Sequence, residues 1–282
     1  MRCDAAAIPI PQLSPAPGGV RVLPMPDPQL LSLPRHPIGP LPFRVAPFAD
    51  CVSGVLAAAG THRGLAVHFA NAYTIALADV DHEYARMLAD PDAVVLTDGV
   101  PVAWFGRRFY PQSAAQWQRV YGPDVMTAVL SASSPIGPRH YLLGGSPQTL
   151  ADLRLAIAER WPDARVVGAE SPPFRELSPE ERDQQDQRIR ESGAEVVWVG
   201  LGTPKQDWEV ARIAERIPVV ALAVGAAFDF LAGTKAQAPL WMQRSGTEWA
   251  YRFATEPRRL ARRYLWGNPR FVRAALRDRP RR

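Results

Sequence analysis

The 282-residue sequence predicts an α/β fold, a mostly parallel sheet covered by helices on both faces. Three observations predict it. Short runs rich in Val, Leu and Ala recur along the chain from about residue 48 onward. Stretches with helical spacing lie between them. The runs are continuously apolar rather than alternating, as strands buried on both faces require. A Rossmann-like sheet of this kind binds ligands outside the carboxyl ends of its strands, so the residues just after each strand carry the functional information.

In chain order, residues 1–47 come first, with 12 of the 29 prolines and little periodicity. They read as a disordered or loosely packed extension. The α/β core spans 48–247. Its strands fall at Leu65–Phe69, Ala93–Leu96, His140–Leu143, Arg165–Val167, Glu195–Val199 and Val219–Val224. Helical spacing covers about 72–89, 123–133, 147–160, 178–191 and 204–216. Residues 248–282 form a third segment, a basic helical appendage.

Composition narrows the class. Apolar residues make up 47% and charged residues 22%, which describes a globular protein. No apolar run reaches the roughly 18 residues that span a bilayer. The longest, Pro218–Phe228, is stopped by Asp229 and reads as a strand. No charged n-region precedes an apolar h-region, so a cytoplasmic location is the expectation. Cys3 and Cys51 make no disulfide framework and have no metal-ligand spacing. The net charge of +5 is unevenly placed. Residues 248–282 carry eleven arginines against Glu248, Glu256 and Asp278, and the rest of the chain is slightly acidic. An anionic partner, nucleic acid or membrane, belongs with the appendage.

Several strand ends offer chemistry. Asn71 comes after the first strand and Asp98-Gly99 after the second. Gly144-Gly145-Ser146-Pro147 succeeds the third, and Gly200-Leu201-Gly202-Thr203-Pro204-Lys205-Gln206 the fifth. Gly225 and Asp229 succeed the sixth. Glycines admit a ligand close to backbone amides, and helix starts at Pro147 and Pro204 favour phosphate. Strand-to-helix turns also need glycine for their own geometry. Neither loop is a GxGxxG or Walker sequence, which argues against a dehydrogenase or P-loop enzyme. Asp98 is placed for a general base, and equally for a turn aspartate bonding nearby amides. Asp79-Val80-Asp81 matches a metal-binding triplet but falls in a helical stretch, where solvated or capping carboxylates are the better reading. His62, His68 and His82 lack ligand spacing, so no metal site is expected.

The appendage alternates aromatics and arginines at helical spacing: Trp249 with Phe253, Arg258 with Arg262, and Arg259 with Arg263. This is the composition of a helix on anionic lipid. A helix packed on the core with its arginines in water has the same pattern.

Together, the motifs resemble the WecG/TagA/CpsF family, glycosyltransferase family 26. The matching stretches include Asp98-Gly99-Val100-Pro101-Val102, Arg119-Val120-Tyr121-Gly122-Pro123-Asp124, Ser171-Pro172-Pro173-Phe174, Val199 to Gln206, and Phe228-Asp229-Phe230-Leu231-Ala232-Gly233-Thr234. Glu256-Pro257-Arg258-Arg259-Leu260 closes the series. The resemblance implies an inverting, metal-independent transferase without a cofactor. It implies a UDP-sugar donor of the N-acetylmannosamine type or a related hexose or uronic acid. The implied acceptor is a polyprenyl-diphosphate-linked sugar at the inner membrane face, in cell-surface glycan synthesis. It places the catalytic aspartate on Asp98 and the motif glutamine on Gln206. Arg119, with Arg258, Arg259, Arg262 and Arg263, is a candidate for the charge that meets the diphosphate. Many members carry threonine two residues before Asn71, where this chain has Phe69. The competing reading is a nucleotide-binding α/β module whose basic tail binds nucleic acid, with steep salt dependence. That reading leaves the Asp-Gly motif unexplained. Oligomeric state stays open.

Overall fold

The computed structural model describes residues 30–61, 63–134, 136–239, 241–242 and 247–280, apart from the side chains of Arg252, Arg259 and Arg262. Six strands form one all-parallel sheet: β3 (Leu65–Ala70), β4 (Ala93–Thr97), β5 (Arg139–Gly144), β6 (Arg165–Glu170), β7 (Val196–Gly200) and β8 (Val220–Ala223). Their spatial order is β4-β3-β8-β7-β5-β6. Each strand coincides with a run expected from the sequence. The reason is physical: β3, β4 and β8 are buried along their whole length, so both faces had to be apolar.

Helices cover both faces. On one side lie α1 (Phe48–Ala59), α5 (Gly122–Ser131), α6 (Pro147–Arg160) and the short α9 (Ala227–Leu231), packed on Val67, Leu142 and Trp198. On the other lie α2 (Ala72–Ala78), α3 (His82–Leu88), α4 (Val100–Phe109), α7 (Pro179–Ser192) and α8 (Lys205–Arg216). The stretch 72–89 divides because Asp81 accepts from the Glu83 and Tyr84 amides and starts a new helix. Sequence periodicity did not reveal α1 or α4. The α1 run is apolar nearly all round, and Pro101 of α4 is compatible with a helix start but suggests an extended turn.

The appendage comprises α10 (Glu248–Thr255) and α11 (Pro257–Arg277). Leu260, Phe271, Ala274 and Ala275 are buried, so α11 packs on the core along one stripe, chiefly against α2. Gly267 allows the close approach: a β-carbon there would come 3.1 Å from the Tyr73 ring.

The reading of residues 1–47 as a loose extension needs correcting over 30–47. Arg35–Ile38 and Leu41–Arg44 form an antiparallel hairpin, β1 and β2, around Gly39 at φ +57°. Ile38, Leu41 and Phe43 are buried with Phe271 and Ala274 of α11. Arg44 is buried and donates to the carbonyls of Leu33 and Pro91. The prolines disguised this order, which comes from packing on β4, α3 and α4 and from contact with α11, more than 200 residues away. Residues 1–29 lie outside the described residues.

Candidate active site

One large crevice, about 930 Å³, runs along the carboxyl ends of the strands. The strand order sets the loops beyond those ends in a line. Asp98 and Asn71 stand at the β4–β3 end, Gly225 and the 200–206 loop in the middle, Gly145 next, and Pro172 to Leu177 at the β6 end. At about 4.8 Å per strand, that line is roughly 24 Å long.

The middle of the crevice is a braced floor of backbone. Gly144 at φ +127° turns the chain so tightly that a β-carbon would fall 2.5 Å from the Gly200 carbonyl oxygen. Gly145 N–H donates to that same carbonyl at 3.2 Å, and Ser171 Oγ donates to the Gly145 carbonyl at 2.7 Å. Gln206 is buried and acts as a strut. Its Oε1 accepts from Gly202 N–H at 2.9 Å, and its Nε2 donates to the Ala223 carbonyl at 3.0 Å. Gly202 has φ +78° and open space beside it, so its backbone faces the crevice unobstructed. Ser146 caps α6 through the Thr149 amide, and the first turns of α6 and α8 line the cavity. Both helices direct their positive ends towards it.

At the β4 end, Asp98 N–H donates to the Ala70 carbonyl, which locks the two strand ends together. Its Oδ2 accepts from Asn71 Nδ2 at 3.2 Å. Gly99 is the N-cap of α4, so the carboxylate stands just before a helix start, where negative charge is favoured. Asn71 itself caps α2, and its Oδ1 also accepts from Arg263 Nη2 at 3.2 Å. An arginine of the appendage thus enters the crevice.

Of the residues singled out from the sequence, Asn71, Asp98, Gly145, Ser146, Gly200, Gly202, Thr203, Lys205, Gln206, Gly225, Asp229 and Arg263 line this one cavity. Gly144 and Pro204 support it from behind. Asp229 is paired with Lys235 at 2.7 Å. Arg119 does not line the cavity. It donates to Glu248 and stacks 3.8 Å over the Tyr121 ring, and Tyr121 OH also donates to Glu248. Arg119 therefore holds the first turn of α10 to the core. Burial of the neighbouring Asp124 raises its carboxyl pKa, with Arg119 opposing and Glu248 adding to the shift. Arg258 is exposed outside the cavity, and the side chains of Arg259 and Arg262 lie outside the described residues.

Sequence reasoning missed Arg182, Trp208 and Arg212, which also line the cavity. Arg212 is neutralised by Asp186 and Glu209. Lys205 and Arg182 make no ion pair among the described residues, which leaves them for an anionic ligand. The spacing of Trp208 and Arg212 on α8 was the available signal.

The Asp79-Val80-Asp81 triplet is used for structure. Asp81 caps α3, and the buried Asp79 carboxylate pairs with the half-exposed Arg277 at 2.7 Å. Asp79 is thus not solvated as the sequence suggested. Among the described residues no cluster of three or more His, Cys, Asp or Glu side chains could hold a metal. His68 binds the buried Asp207, to which Tyr84 OH also donates. His62 lies outside the described residues.

Compared with known families, residues 37–282 match the model described as the glycosyl transferase WecG/TagA/CpsF family. The match begins within the β1–β2 hairpin and includes both appendage helices.

Proposed function

The chain belongs to the WecG/TagA/CpsF glycosyltransferase family, and from that premise we propose that it transfers a hexose from a UDP-sugar to a polyprenyl-diphosphate-linked acceptor, with inversion. The observation that carries the proposal is the shared crevice. A carboxylate at the end of β4 and a floor of amides and cations occupy one cavity. The hexose is of the N-acetylmannosamine type or a related sugar, uronic acids included, as the family resemblance implies.

The reaction is a single displacement. The acceptor hydroxyl attacks the anomeric carbon as the bond to the UDP oxygen breaks. Asp98 takes the hydroxyl proton. The departing diphosphate gains negative charge over the 200–206 and 144–147 loops, whose amides not already bonded within the protein, with Lys205 and Arg263, are fixed before the reaction starts. Because Asp98 stands at one end of the strand order, the nucleoside extends towards Pro172 and Phe174.

The acceptor's polyprenyl chain requires a membrane nearby. Among the described residues no helix is long and apolar enough to cross one. Supporting peripheral docking, α4 and α11 lie side by side through the Phe105–Phe271 ring contact at 5.2 Å. Their outer surface exposes Trp104, Val272 and Leu276 beside Arg108 and Arg279. Apolar groups flanked by cations suit an anionic interface. The nucleic-acid-binding alternative explains neither the family match nor the Asp98 crevice.

The test is Asp98→Asn. Turnover of a UDP-sugar panel, followed as UDP release with a lipid-linked acceptor, should fall about 10²–10⁴-fold. UDP binding by calorimetry should stay near wild type. A variant within about threefold of the wild-type rate would sink the assignment.

A further inference from the structure

We infer that the C-terminal appendage sets the catalytic base itself: Arg263 of α11 fixes the Asn71 amide, and Asn71 fixes the Asp98 carboxylate. The inference rests on the proposed role of Asp98 and adds two positioning residues to it. It differs from supplying charge to the diphosphate, because here the arginine acts through another side chain.

The hydrogen bonds determine which way the amide faces. Asn71 Oδ1 accepts from three donors: the Tyr73 amide at 3.0 Å, the Thr74 amide at 3.4 Å and Arg263 Nη2 at 3.2 Å. With Oδ1 so occupied, Nδ2 is the atom that meets Asp98 Oδ2. A flipped amide would set its NH₂ against three donors and its oxygen against a carboxylate, so each contact would become repulsive. The amide therefore has one orientation, and it presents a donor to the carboxylate.

The position of Arg263 is also specified. Its guanidinium lies 4.5 Å from the Tyr73 ring centre. Trp266 meets the same ring edge-on at 6.2 Å, and Gly267 lets the helix close against it. Tyr73 belongs to the helix that Asn71 caps. Docking of α11 on α2 is thus the event that delivers Arg263 to Asn71. A chain with the appendage displaced keeps Asp98 and loses one of the restraints that aim it. The base then works best when the appendage is seated, which ties catalysis to the segment proposed to face the membrane.

The confounding role is the helix cap, and two substitutions preserve it. Asp and Ser both cap helices well, but an ionised Asp has no proton to donate and the Ser hydroxyl stands one bond nearer the backbone, short of the amide nitrogen's reach to Asp98. Asn71→Asp and Asn71→Ser should keep a wild-type melting temperature within a few degrees. Their single-turnover rate of UDP release should fall by about tenfold to a hundredfold, the range expected for a misplaced catalytic group. In Asn71→Asp the acid limb of the pH–rate profile should move up by about one unit, because a second carboxylate disfavours ionisation of the first. Arg263→Gln should move that limb in the same direction by less. The shift in the Asn71→Ser/Arg263→Gln double variant should not exceed that of Asn71→Ser alone. A wild-type pH profile in Asn71→Asp overturns the inference, as does an Arg263→Gln effect confined to KM. If Asp98→Asn stays active, the base assignment has failed and this inference falls with it. If Asp98→Asn is inactive while Asn71→Asp resembles wild type, the coupling alone is wrong.

Discussion

The Arg119 guanidinium meets the Glu248 carboxylate at 2.5 Å, although 129 residues separate them. Both side chains are mostly buried, 19% and 13% exposed, and Tyr121 adds a hydroxyl to the same carboxylate. Removing one partner strands the other in a largely dry site. Glu248→Gln should therefore cost on the order of 2 kcal/mol in urea unfolding, below the roughly 3–5 kcal/mol of a fully buried pair. It should also speed proteolysis between the core and α10. An unchanged unfolding midpoint and digestion pattern would show that this pair does not hold the appendage.

Gln206 calls for a different readout. It braces the Gly202 amide against the β8 end, and both its polar groups are used. Gln206→Ala should therefore act on the floor of the crevice rather than on proton transfer. KM for the UDP-sugar should rise about tenfold with the pH–rate profile unchanged, equivalent to one lost hydrogen bond of about 1.4 kcal/mol. A shift in the pH profile at constant KM would give Gln206 a role in the chemistry instead.

UDP should raise the melting temperature in the presence of chelator. The support is that Asp81 is spent on a helix cap and Asp79 on Arg277, which leaves the diphosphate to amides, Lys205 and Arg263. A UDP effect that disappears with chelator and returns with manganese would contradict it.

How much was legible depends on the range of the interactions. The six strands and the loops at Gly144 and Gly200 were readable because buried parallel strands and tight turns impose local composition. The place of Asp98, Gln206 and Lys205 at the crevice was readable for the same reason, since each lies just beyond a strand. The position of Arg119 outside the cavity was not, because its partner Glu248 is far away in sequence. The β1–β2 hairpin was missed because Pro37 and Pro42 pair across it, and proline is a poor strand signal. Its order depends on packing against β4, α4 and α11, which no local pattern could show. Arg263 stood out only as one of several tail arginines, and its bond to Asn71 required coordinates.

His140 should make the fold acid-sensitive. It is buried, and burial pulls its pKa from 6.5 down to about 4. Its Nδ1 accepts from the Trp198 indole at 3.3 Å, and its Nε2 lies 2.9 Å from Ser133 Oγ. Protonating Nδ1 would set its N–H against the Trp198 indole N–H. The folded state thus keeps the neutral ring while the unfolded chain takes a proton near pH 6.5. Stability present above pH 6.5 should decline as the pH falls towards 4, by about 3 kcal/mol in all. His140→Gln, which retains an acceptor, should flatten that part of the urea-unfolding profile. An equal slope in the variant would assign the acid loss to other groups.

The appendage should serve the membrane and the crevice through different residues. Arg277 is unsuited to test membrane binding alone, because it pairs with Asp79 and its loss would disturb the packing of α11. Trp104 and Arg279 are better probes. Trp104 is 59% exposed on α4, and Arg279 lies just past the end of α11 on the same surface. A tryptophan and a few arginines at an anionic interface contribute on the order of 1 kcal/mol each, and salt screens the charged part. The double variant Trp104→Ser/Arg279→Glu should lose most sedimentation with phosphatidylglycerol vesicles at low salt. It should keep its rate on a short-chain, water-soluble acceptor, because neither residue lines the crevice. Removing residues 248–282 should abolish both, since Glu248 and Arg263 go with them. Vesicle binding that survives the double variant would move the docking surface elsewhere on the molecule. Full activity of the truncated chain on the soluble acceptor would show that the appendage contributes nothing to the chemistry.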